Sequence, residues 1–233
     1  MAEKTDVAAL FDKIAPEYDK MNNIISLGTH KQWRAQVMRE VTLPAGAQIL
    51  DLATGTADWA LALAEQSDAN SHVTGLDFSA EMLAVGQQKV AASAFADKIT
   101  LVQGDAMATP YADNSFDVVT IGFGLRNLPD AAAGLAEMYR ILKPDGQLVI
   151  LETSQPDNAL VRPIWRFYFA RVMPLFGKIF ANGKYAEYKY LDQTTEKFVG
   201  YKTLAQMLTK AGFADVHYQR FNLGAAAAHY GRK

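Results

Sequence analysis

The chain alternates short apolar runs with helical patterns from about residue 48 onward. Each apolar run ends at or beside an acidic residue, a glycine, or a serine or threonine. In chain order the runs are QILDLA, HVTGLDF, ITLVQGD, FDVVTIGF and QLVILET. Short apolar runs that are bounded in this way are typical of buried strands. The pattern therefore predicts five strands with helices between them, that is, successive βα units.

One connecting segment shows helical spacing clearly. Leu135, Met138, Tyr139 and Leu142 recur at i, i+3, i+4 and i+7, and Lys143–Gly146 then predicts a turn. A helix at this place crosses back to a parallel strand, and right-handed crossovers of this kind build an open sheet with helices on both faces. We therefore predict an α/β, Rossmann-like fold whose ligands bind beyond the carboxyl ends of the strands.

Two segments lie outside the repeating pattern. A helical region at residues 1–45 precedes a main domain at residues 46–233, and an aromatic insertion occupies about 160–195, between the fifth strand and the last helix. We expect both segments to act as lids on the ligand side of the sheet. The tail from residue 213 alternates loosely and predicts two more strands.

Composition narrows the classes of function. With 233 residues, 50% of them apolar, the chain suits one globular domain, and its net charge of -2 provides no basic excess for a nucleic-acid partner. The absence of cysteine excludes thiolate chemistry, and the four histidines lack the spacing of metal ligands, so we predict no metal site. The charged N-terminus is unlike a secretory signal and no apolar run reaches spanning length, so we expect a cytoplasmic protein.

The loop after the first strand reads DLATGTADW, at residues 51–59. It has one glycine, Gly55, whereas a dinucleotide fingerprint needs three to bring the backbone close to a pyrophosphate. Asp58 places a carboxylate in the first turn of the next helix, where a phosphate would meet like charge. Thr56 is expected to cap that helix. A nucleoside with an amine and a positive centre suits this loop better, and S-adenosylmethionine is such a molecule.

Acidic residues also end the next two strands. Asp77, followed by Phe78, lies about 20 residues after Gly55, where a carboxylate accepts hydrogen bonds from a ribose diol in nucleotide-binding folds. Asp105 is placed to accept a hydrogen bond from the exocyclic amine of an adenine, and Ala106 and Met107 are placed to line the adenine ring. The loop at residues 51–59 is poorly suited to bind phosphate. Together with that loop, these acids favour a methyltransferase over a dehydrogenase. The alternative is that each acid only caps a helix.

Three blocks of the sequence resemble one known family. Residues 18–33 (YDKMNNIISLGTHKQW), 122–127 (GFGLRN) and 140–154 (RILKPDGQLVILETS) are similar to signatures of the C-methyltransferases of ubiquinone and menaquinone biosynthesis. The runs GTADW and LETSQP resemble the menaquinone branch of Gram-positive bacteria. Thr54 and Ala57 depart from the glycine-richer loop of the ubiquinone branch, and Asp145 stands where a glycine is usual. Asp105 stands where asparagine is common, and aspartate and asparagine side chains can both accept a hydrogen bond from the adenine amine.

The resemblance covers nearly the whole chain and implies a class I S-adenosylmethionine-dependent methyltransferase, with a mostly parallel seven-stranded sheet and an antiparallel last strand. It implies cofactor contacts at Thr56, Asp77, Asp105 and Ala106. The expected cofactor-binding set is Asp51, Gly55, Thr56, Asp58, Asp77, Phe78, Asp105, Ala106, Met107 and Gly122.

The reaction that the resemblance implies is C-methylation of demethylmenaquinol, a 2-polyprenyl-1,4-naphthoquinol. Its products are menaquinol and S-adenosylhomocysteine. Two alternatives stay open. The acceptor is a benzoquinol or another small molecule, or the chain is a non-catalytic protein that binds a nucleoside.

The implied chemistry gives candidates for catalysis. A ring carbon is a weak nucleophile until a ring hydroxyl, with a pKa of about 10, loses its proton. Arg126 stays protonated and is predicted to stabilise the phenolate, with Asn127 fixing the other polar edge. His30 and Asp19 are the titratable candidates in the N-terminal region. The alternative for Arg126 is a structural pair with a carboxylate, and for His30 and Asp19 it is a structural role within the lid.

The aromatic insertion carries one more hypothesis. One face of its predicted helix, which Pro174 interrupts, carries Trp165, Tyr168, Phe169 and Val172. The flanking basic residues are Arg162, Arg166 and Arg171. Such a face suits a prenyl tail or a lipid surface, so we expect peripheral contact with the inner face of the cell membrane; the alternative is core packing. The residues expected to line the acceptor pocket, or else to lie on the surface, are Tyr185, Tyr188 and Tyr190. A homodimer is left open.

Overall fold

The computed structural model describes residues 4–172, 175–176, 179 and 185–233. Within these residues one sheet contains the strands β1 (Gln48–Leu52), β2 (His72–Asp77), β3 (Ile99–Gln103), β4 (Phe116–Gly122), β5 (Leu142–Thr153), β6 (Ala214–Phe221) and β7 (Ala226–Arg232). Their order is β3-β2-β1-β4-β5-β7-β6. Strands β1 to β5 pair in parallel, and β7 pairs antiparallel with β5 and β6. This confirms the mostly parallel seven-stranded sheet with an antiparallel last strand.

Helices connect and flank the strands. They are α1 (Lys4–Ile14), α2 (Tyr18–Ile25), α3 (Thr29–Met38), α4 (Asp58–Gln66), α5 (Ala80–Ala91), α6 (Ala131–Ile141), α7 (Val161–Phe167), α8 (Tyr185–Lys197) and α9 (Tyr201–Lys210). A π-helical turn, Tyr168–Val172, continues α7. No helix of the described residues is long and apolar enough to cross a membrane.

The core lies on both faces of the sheet. In β5, Val149 and Leu151 pack into one cluster with Leu63 of α4, whereas Leu148 and Ile150 pack into the other, which contains helices α6 and α9. Successive side chains of a strand point to opposite faces, so a strand that is covered on both faces is apolar along its whole length. This is why the central strands appear in the sequence as continuous apolar runs, and it confirms helices on both faces.

The boundary between α6 and β5 differs from the prediction. Helix α6 ends at Ile141, and Leu142 already pairs with Phe116 of β4, so Leu142 is not a helical position. The register then shifts, and the predicted turn is an irregular segment inside β5, where Asp145 adopts a φ of 62°. The helix stops early because a residue before proline is disfavoured in the helical region, and Pro144 follows closely.

The N-terminal helices pack beside the ligand edge of the sheet. Ile14, Ala15 and Met21 form a small apolar cluster with Met82 of α5. The end of α3 joins the larger core through Val37. Among the sequence-based interpretations, Pro174 and the side chains of Phe169, Tyr185 and Tyr188 lie outside the described part of the chain.

Candidate active site

Two adjoining cavities open at the carboxyl ends of β1 and β4. The residues that line both are Tyr18, Ala53, Gly55, Gly122 and Phe123. We call the one that contains Asp77 and Asp105 the first cavity, and the one that contains His30 and Arg126 the second cavity. This edge of an open parallel sheet is where its ligands bind, so the sheet presents two connected ligand spaces.

Asp77 forms a buried acceptor at the wall of the first cavity. Its Oδ2 accepts a hydrogen bond from the backbone N–H of Gly55 at 2.8 Å, and its Oδ1 accepts one from that of Ser79 at 2.9 Å. Burial raises the pKa of this carboxyl, although these two hydrogen bonds oppose the shift. Each carboxylate oxygen accepts more than one hydrogen bond, so Asp77 keeps capacity for a diol.

The far end of the first cavity carries Asp105, Ala106 and Phe78. The Oδ1 of Asp105 accepts a hydrogen bond from the backbone N–H of Met107 at 3.0 Å. Met107 itself lines neither cavity. An acceptor, an apolar methyl and an aromatic ring thus surround one space, which is the set that an adenine ring needs.

Asn127 lines the first cavity. It does not line the second cavity, where the sequence led us to expect it at the polar edge of the methyl acceptor. Asn127 and Arg126 are adjacent in a 3₁₀ turn, Leu125–Asn127, where neighbouring side chains point about 120° apart. Arg126 therefore reaches the second cavity and Asn127 the first. The Oδ1 atom of Asn127 is buried and has no hydrogen-bond partner within the described residues, so it is an available acceptor.

The charges of the first cavity select against phosphate. Among the described residues that line it, the charged ones are Asp77 and Asp105, and none is a cation. A pyrophosphate would meet only like charge there, whereas a nucleoside with a positive centre would not. The residues present therefore fit S-adenosylmethionine, and they do not fit a dinucleotide.

Asp51 stabilises the loop that follows β1 by hydrogen bonds within the protein. Its carboxylate is buried and accepts hydrogen bonds from the hydroxyls of Thr54 at 2.6 Å and Thr120 at 2.7 Å. Burial raises the pKa of Asp51 to about 7. Asp51 lines neither cavity, so its contacts are with the protein.

The predicted capping role of Thr56 is wrong. The residue before α4 is Ala57, in the left-handed conformation with a φ of 65°, and no side chain caps the helix. The hydroxyl of Thr56 donates instead to Oδ1 of Asp19 in α2, at 2.6 Å. Because Asp58 already places a negative charge in the first helical turn, the N-terminus is compensated without a cap.

A cluster of charges ties the N-terminal helices to the sheet domain. The ammonium of Lys89 donates to Asp19 at 2.8 Å and to Asp58, and the guanidinium of Arg34 donates to the other oxygen of Asp58 at 2.9 Å. Burial opposes ionisation of Asp58, but Arg34 and Lys89 together hold its pKa below the ordinary value. Asp19 and Asp58 are thus engaged in protein contacts. Sequence analysis missed Arg34 and Lys89, because their partners are distant in the chain.

His30 lies in the second cavity with its protonation pattern fixed by a neighbour. The hydroxyl of Ser26 donates to the carbonyl of Asn22 at 2.6 Å and lies 2.6 Å from Nδ1 of His30. A hydroxyl has one proton, so Nδ1 must donate to Ser26, which leaves Nε2 as an acceptor. No described residue bonds Nε2. Burial and then the charge of Arg34 lower the pKa of His30, so the ring is neutral at neutral pH.

Arg126 is held by the carboxylate of Glu152, which sequence analysis did not single out. The Nη1 atom of Arg126 donates to Glu152 and, at 2.7 Å, to the carbonyl of Phe123. The expected alternative, a structural ion pair, is therefore present. The Nε atom of Arg126 is buried without a partner in the described part of the chain, so the cation retains a free donor.

Aromatic side chains complete the second cavity, whose volume is about 340 Å³. They include Trp33, Trp59, Trp165 and Tyr168. The hydroxyl of Tyr168 donates to the carbonyl of Ile25 at 2.5 Å, which holds the insertion against α2. Tyr190 lines neither cavity. The second cavity thus suits a flat, mostly apolar ring system with polar edges.

Comparison with known proteins decides the family. The model of the ubiE/COQ5 methyltransferase family matches residues 1–233, which is the whole chain. The chain belongs to the ubiE/COQ5 methyltransferase family. It is therefore an S-adenosylmethionine-dependent methyltransferase, and the first cavity is the one whose side chains fit that cofactor.

Two curated relatives and one solved structure illustrate the similarity. A demethylmenaquinone methyltransferase of Lactiplantibacillus plantarum is 57% identical over 98% of this chain and 96% of the relative. One of Staphylococcus epidermidis is 49% identical over 100% of this chain and 95% of the relative. The crystal structure of a SAM-dependent methyltransferase from Aquifex aeolicus has a TM-score of 0.61 at 18% identity, covering 85% of this chain and 88% of that one. That last likeness concerns the fold alone.

Proposed function

We propose that this member of the ubiE/COQ5 family methylates a ring carbon of demethylmenaquinol, with menaquinol and S-adenosylhomocysteine as products. The observation that carries the proposal is the junction of the two cavities at Gly55 and Gly122. There, an acidic nucleoside space meets an aromatic space that holds a cation and a neutral histidine. The relatives named demethylmenaquinone methyltransferase, at 57% and 49% identity, support the choice of acceptor.

S-adenosylmethionine, when bound, supplies a methyl group on a positively charged sulfur. In the first cavity, Asp77 would accept hydrogen bonds from the ribose diol and Asp105 would accept one from the adenine amine, while Phe78 and Ala106 would contact the adenine ring. Asn127 lines the same cavity, and its buried Oδ1 has no hydrogen-bond partner within the described residues. Its role is then to position the cofactor.

His30 takes the first proton in this proposal. Its Nε2 accepts the proton of a ring hydroxyl, because Nδ1 is already committed to Ser26. The neutral form that this requires is the form favoured by burial and Arg34, which lower the pKa of His30. Asp19, the other titratable candidate, is bonded to Thr56 and Lys89, so we give it a positioning role in the lid.

Arg126 stabilises the phenolate that results. Its guanidinium stays charged and lines the second cavity, so it offers a fixed positive charge where negative charge develops. The carbon next to the phenolate then forms a bond to the methyl group. The carbon–sulfur bond breaks with its electron pair left on sulfur, and the ring hydrogen leaves as a proton.

The location of the chain follows from its proposed substrate. A polyprenyl quinol is held in a bilayer by its tail, so we place the chain in the cytoplasm, working at the inner face of the cell membrane. The homodimer stays a prediction.

Transfer of labelled methyl from S-adenosylmethionine tests the proposal. The acceptors are chemically reduced demethylnaphthoquinol and demethylbenzoquinol, beside a control without acceptor. We expect label in the naphthoquinol, and label there alone assigns the menaquinone branch. Label in both acceptors extends the substrate range to benzoquinols. Label in neither, with S-adenosylhomocysteine still bound, contradicts the proposed function.

A further inference from the structure

Large apolar side chains are exposed along one face of α7. Leu160, Ile164 and Phe167 recur at i, i+4 and i+7, and they are 82%, 71% and 64% exposed. Leu27, in the loop between α2 and α3, is 81% exposed. Burying side chains of this size is normally favourable, so a cluster of exposed ones marks a surface that contacts something apolar.

This exposed face is not the one that the sequence indicated. The predicted face carries Trp165 and Tyr168, and both of these line the second cavity. Ile164 and Phe167 line neither cavity. They lie on a strip of the helix that adjoins the face of Trp165, because successive residues of a helix are about 100° apart. Helix α7 therefore has two apolar faces, one toward the acceptor space and one toward the solvent.

The exposed face borders the mouth of the second cavity. Leu27 lines that cavity and is also largely exposed, so the cavity wall reaches the surface at this residue. The hydrogen bond from Tyr168 to the carbonyl of Ile25 brings the turn after α7 against the loop that carries Leu27. An apolar chain that leaves the cavity here would emerge between Leu27 and α7.

The sequence that contains this face is basic. Residues 158–186 contain no aspartate or glutamate, whereas they contain three arginines and two lysines. Arg166 pairs with Glu196 of α8, whereas Arg162 donates to the neutral amide oxygen of Gln155, and Arg171 is exposed. A basic, apolar surface of this kind is complementary to anionic lipid headgroups and the acyl chains beneath them.

We propose that Leu27, Leu160, Ile164 and Phe167, with Arg162 and Arg171, form a membrane face that docks on an anionic lipid bilayer. This inference rests on the proposed function, because it places the mouth of the second cavity against the layer that holds the polyprenyl tail of the quinol. The naphthoquinol ring enters the cavity while its tail stays in lipid. The enzyme then needs to bury only the ring and the first part of the tail.

Flotation with vesicles of phosphatidylglycerol and phosphatidylcholine tests the membrane face. The wild-type chain should float with these vesicles and much less with pure phosphatidylcholine. The double variant Ile164→Gln/Phe167→Gln and the charge reversal Arg162→Glu/Arg171→Glu should each lower the bound fraction about tenfold. Lys210→Glu, in the last turn of α9 and outside the lining of both cavities, changes the charge by the same amount per residue and should bind as the wild type does.

Methylation with two acceptors separates this inference from the proposed function. With a short-chain demethylnaphthoquinol in solution, Ile164→Gln/Phe167→Gln should turn over at the wild-type rate. With a polyprenyl demethylnaphthoquinol embedded in vesicles it should be about tenfold slower. Wild-type turnover of the soluble quinol without any vesicle binding overturns the membrane face and leaves the function standing. A wild type that floats but methylates neither quinol contradicts the function itself. If the variant only converts a dimer to a monomer, with flotation unchanged, the face binds a second copy and the inference fails.

Discussion

Arg126 and Glu152 form a buried ion pair beside the second cavity, with side chains 7% and 2% exposed. The carboxylate also accepts hydrogen bonds from the backbone N–H groups of Arg126 at 3.2 Å and Thr153 at 2.7 Å. Glu152 therefore fixes the guanidinium in place and balances its charge in the absence of substrate. A structural pair and a catalytic cation are thus compatible roles for the same residue.

Substitution of this pair should separate stability from turnover. Arg126→Gln leaves Glu152 buried without its partner, so we expect a loss of about 3–5 kcal/mol in the free energy of unfolding. Adding Glu152→Gln should restore most of that loss, since neither charge then remains. Turnover of the naphthoquinol should stay about 10²–10³-fold low in both variants, because the phenolate lacks its cation. Urea unfolding measures the change in stability and kcat measures the change in turnover. A normal kcat in the double variant would refute the catalytic role of Arg126.

The dependence of rate on pH should report His30. Burial and the charge of Arg34 lower the pKa of His30. The ring therefore stays neutral, and able to accept a proton, at pH values where an ordinary histidine is already protonated. We expect kcat/KM for a soluble quinol to rise with pH, with the midpoint of the rise below the ordinary histidine pKa of about 6.5. His30→Asn should lower kcat by about 10²-fold and abolish this rise.

Two further variants control the assignment of His30. Ser26→Ala removes the partner of Nδ1, so kcat should fall less than in His30→Asn and the pH profile should keep its rise. His72→Asn, on β2 and bonded to Thr100, removes a histidine outside both cavities and should leave the profile unchanged. An unaltered profile in His30→Asn would assign the proton to another group.

Cofactor affinity should depend on the two acids of the first cavity unequally. Asp77→Asn removes the carboxylate that accepts hydrogen bonds from the backbone N–H groups of Gly55 and Ser79. The Kd of S-adenosylhomocysteine should therefore rise by about 10–100-fold. Asp105→Asn keeps an acceptor for the adenine amine and should change Kd less than about threefold. Calorimetric titration measures both. Equal effects of the two substitutions would contradict the assignment of diol and amine.

Asp51 should make the stability depend on pH. Its pKa in the folded chain, about 7, lies above that of an unfolded aspartate, so its contribution is fully present below about pH 4 and is lost as the pH rises to about 7. Asp51→Asn removes this titration. Relative to the wild type, the variant should therefore gain more stability at pH 8 than at pH 5 in urea unfolding. A difference that is the same at both pH values would show that Asp51 does not titrate in this range.

The strands and the first cavity were predictable because their signals are local. The run QLVILET has both faces covered in β5, so its burial shows directly in its composition. Asp77 and Asp105 end neighbouring parallel strands, and parallel strands end at one edge of the sheet, so the sequence alone brings them together. Thr56 failed as a cap because its partner, Asp19, lies on a helix whose position the sequence does not reveal.

The pairings of the second cavity carry no such signal. Arg126 and Glu152 meet because β4 and β5 are adjacent, and the identity of the partner among several acids depends on side-chain direction. Lys89 and Arg34 converge on Asp58 from two separate helices. On α7, a helical wheel finds the face of Trp165, but only the packed structure shows that Ile164 faces the solvent.

The most direct test of the central claim is the position of the transferred methyl group. The acceptor is a demethylnaphthoquinol with deuterium at the free ring carbon, the donor is S-adenosylmethionine with a fully deuterated methyl group, and the product is read by mass spectrometry and NMR. We predict an intact deuterated methyl group on the ring carbon and loss of the ring deuterium. A methyl ether that retains the ring deuterium, or no product from the naphthoquinol, would contradict the account.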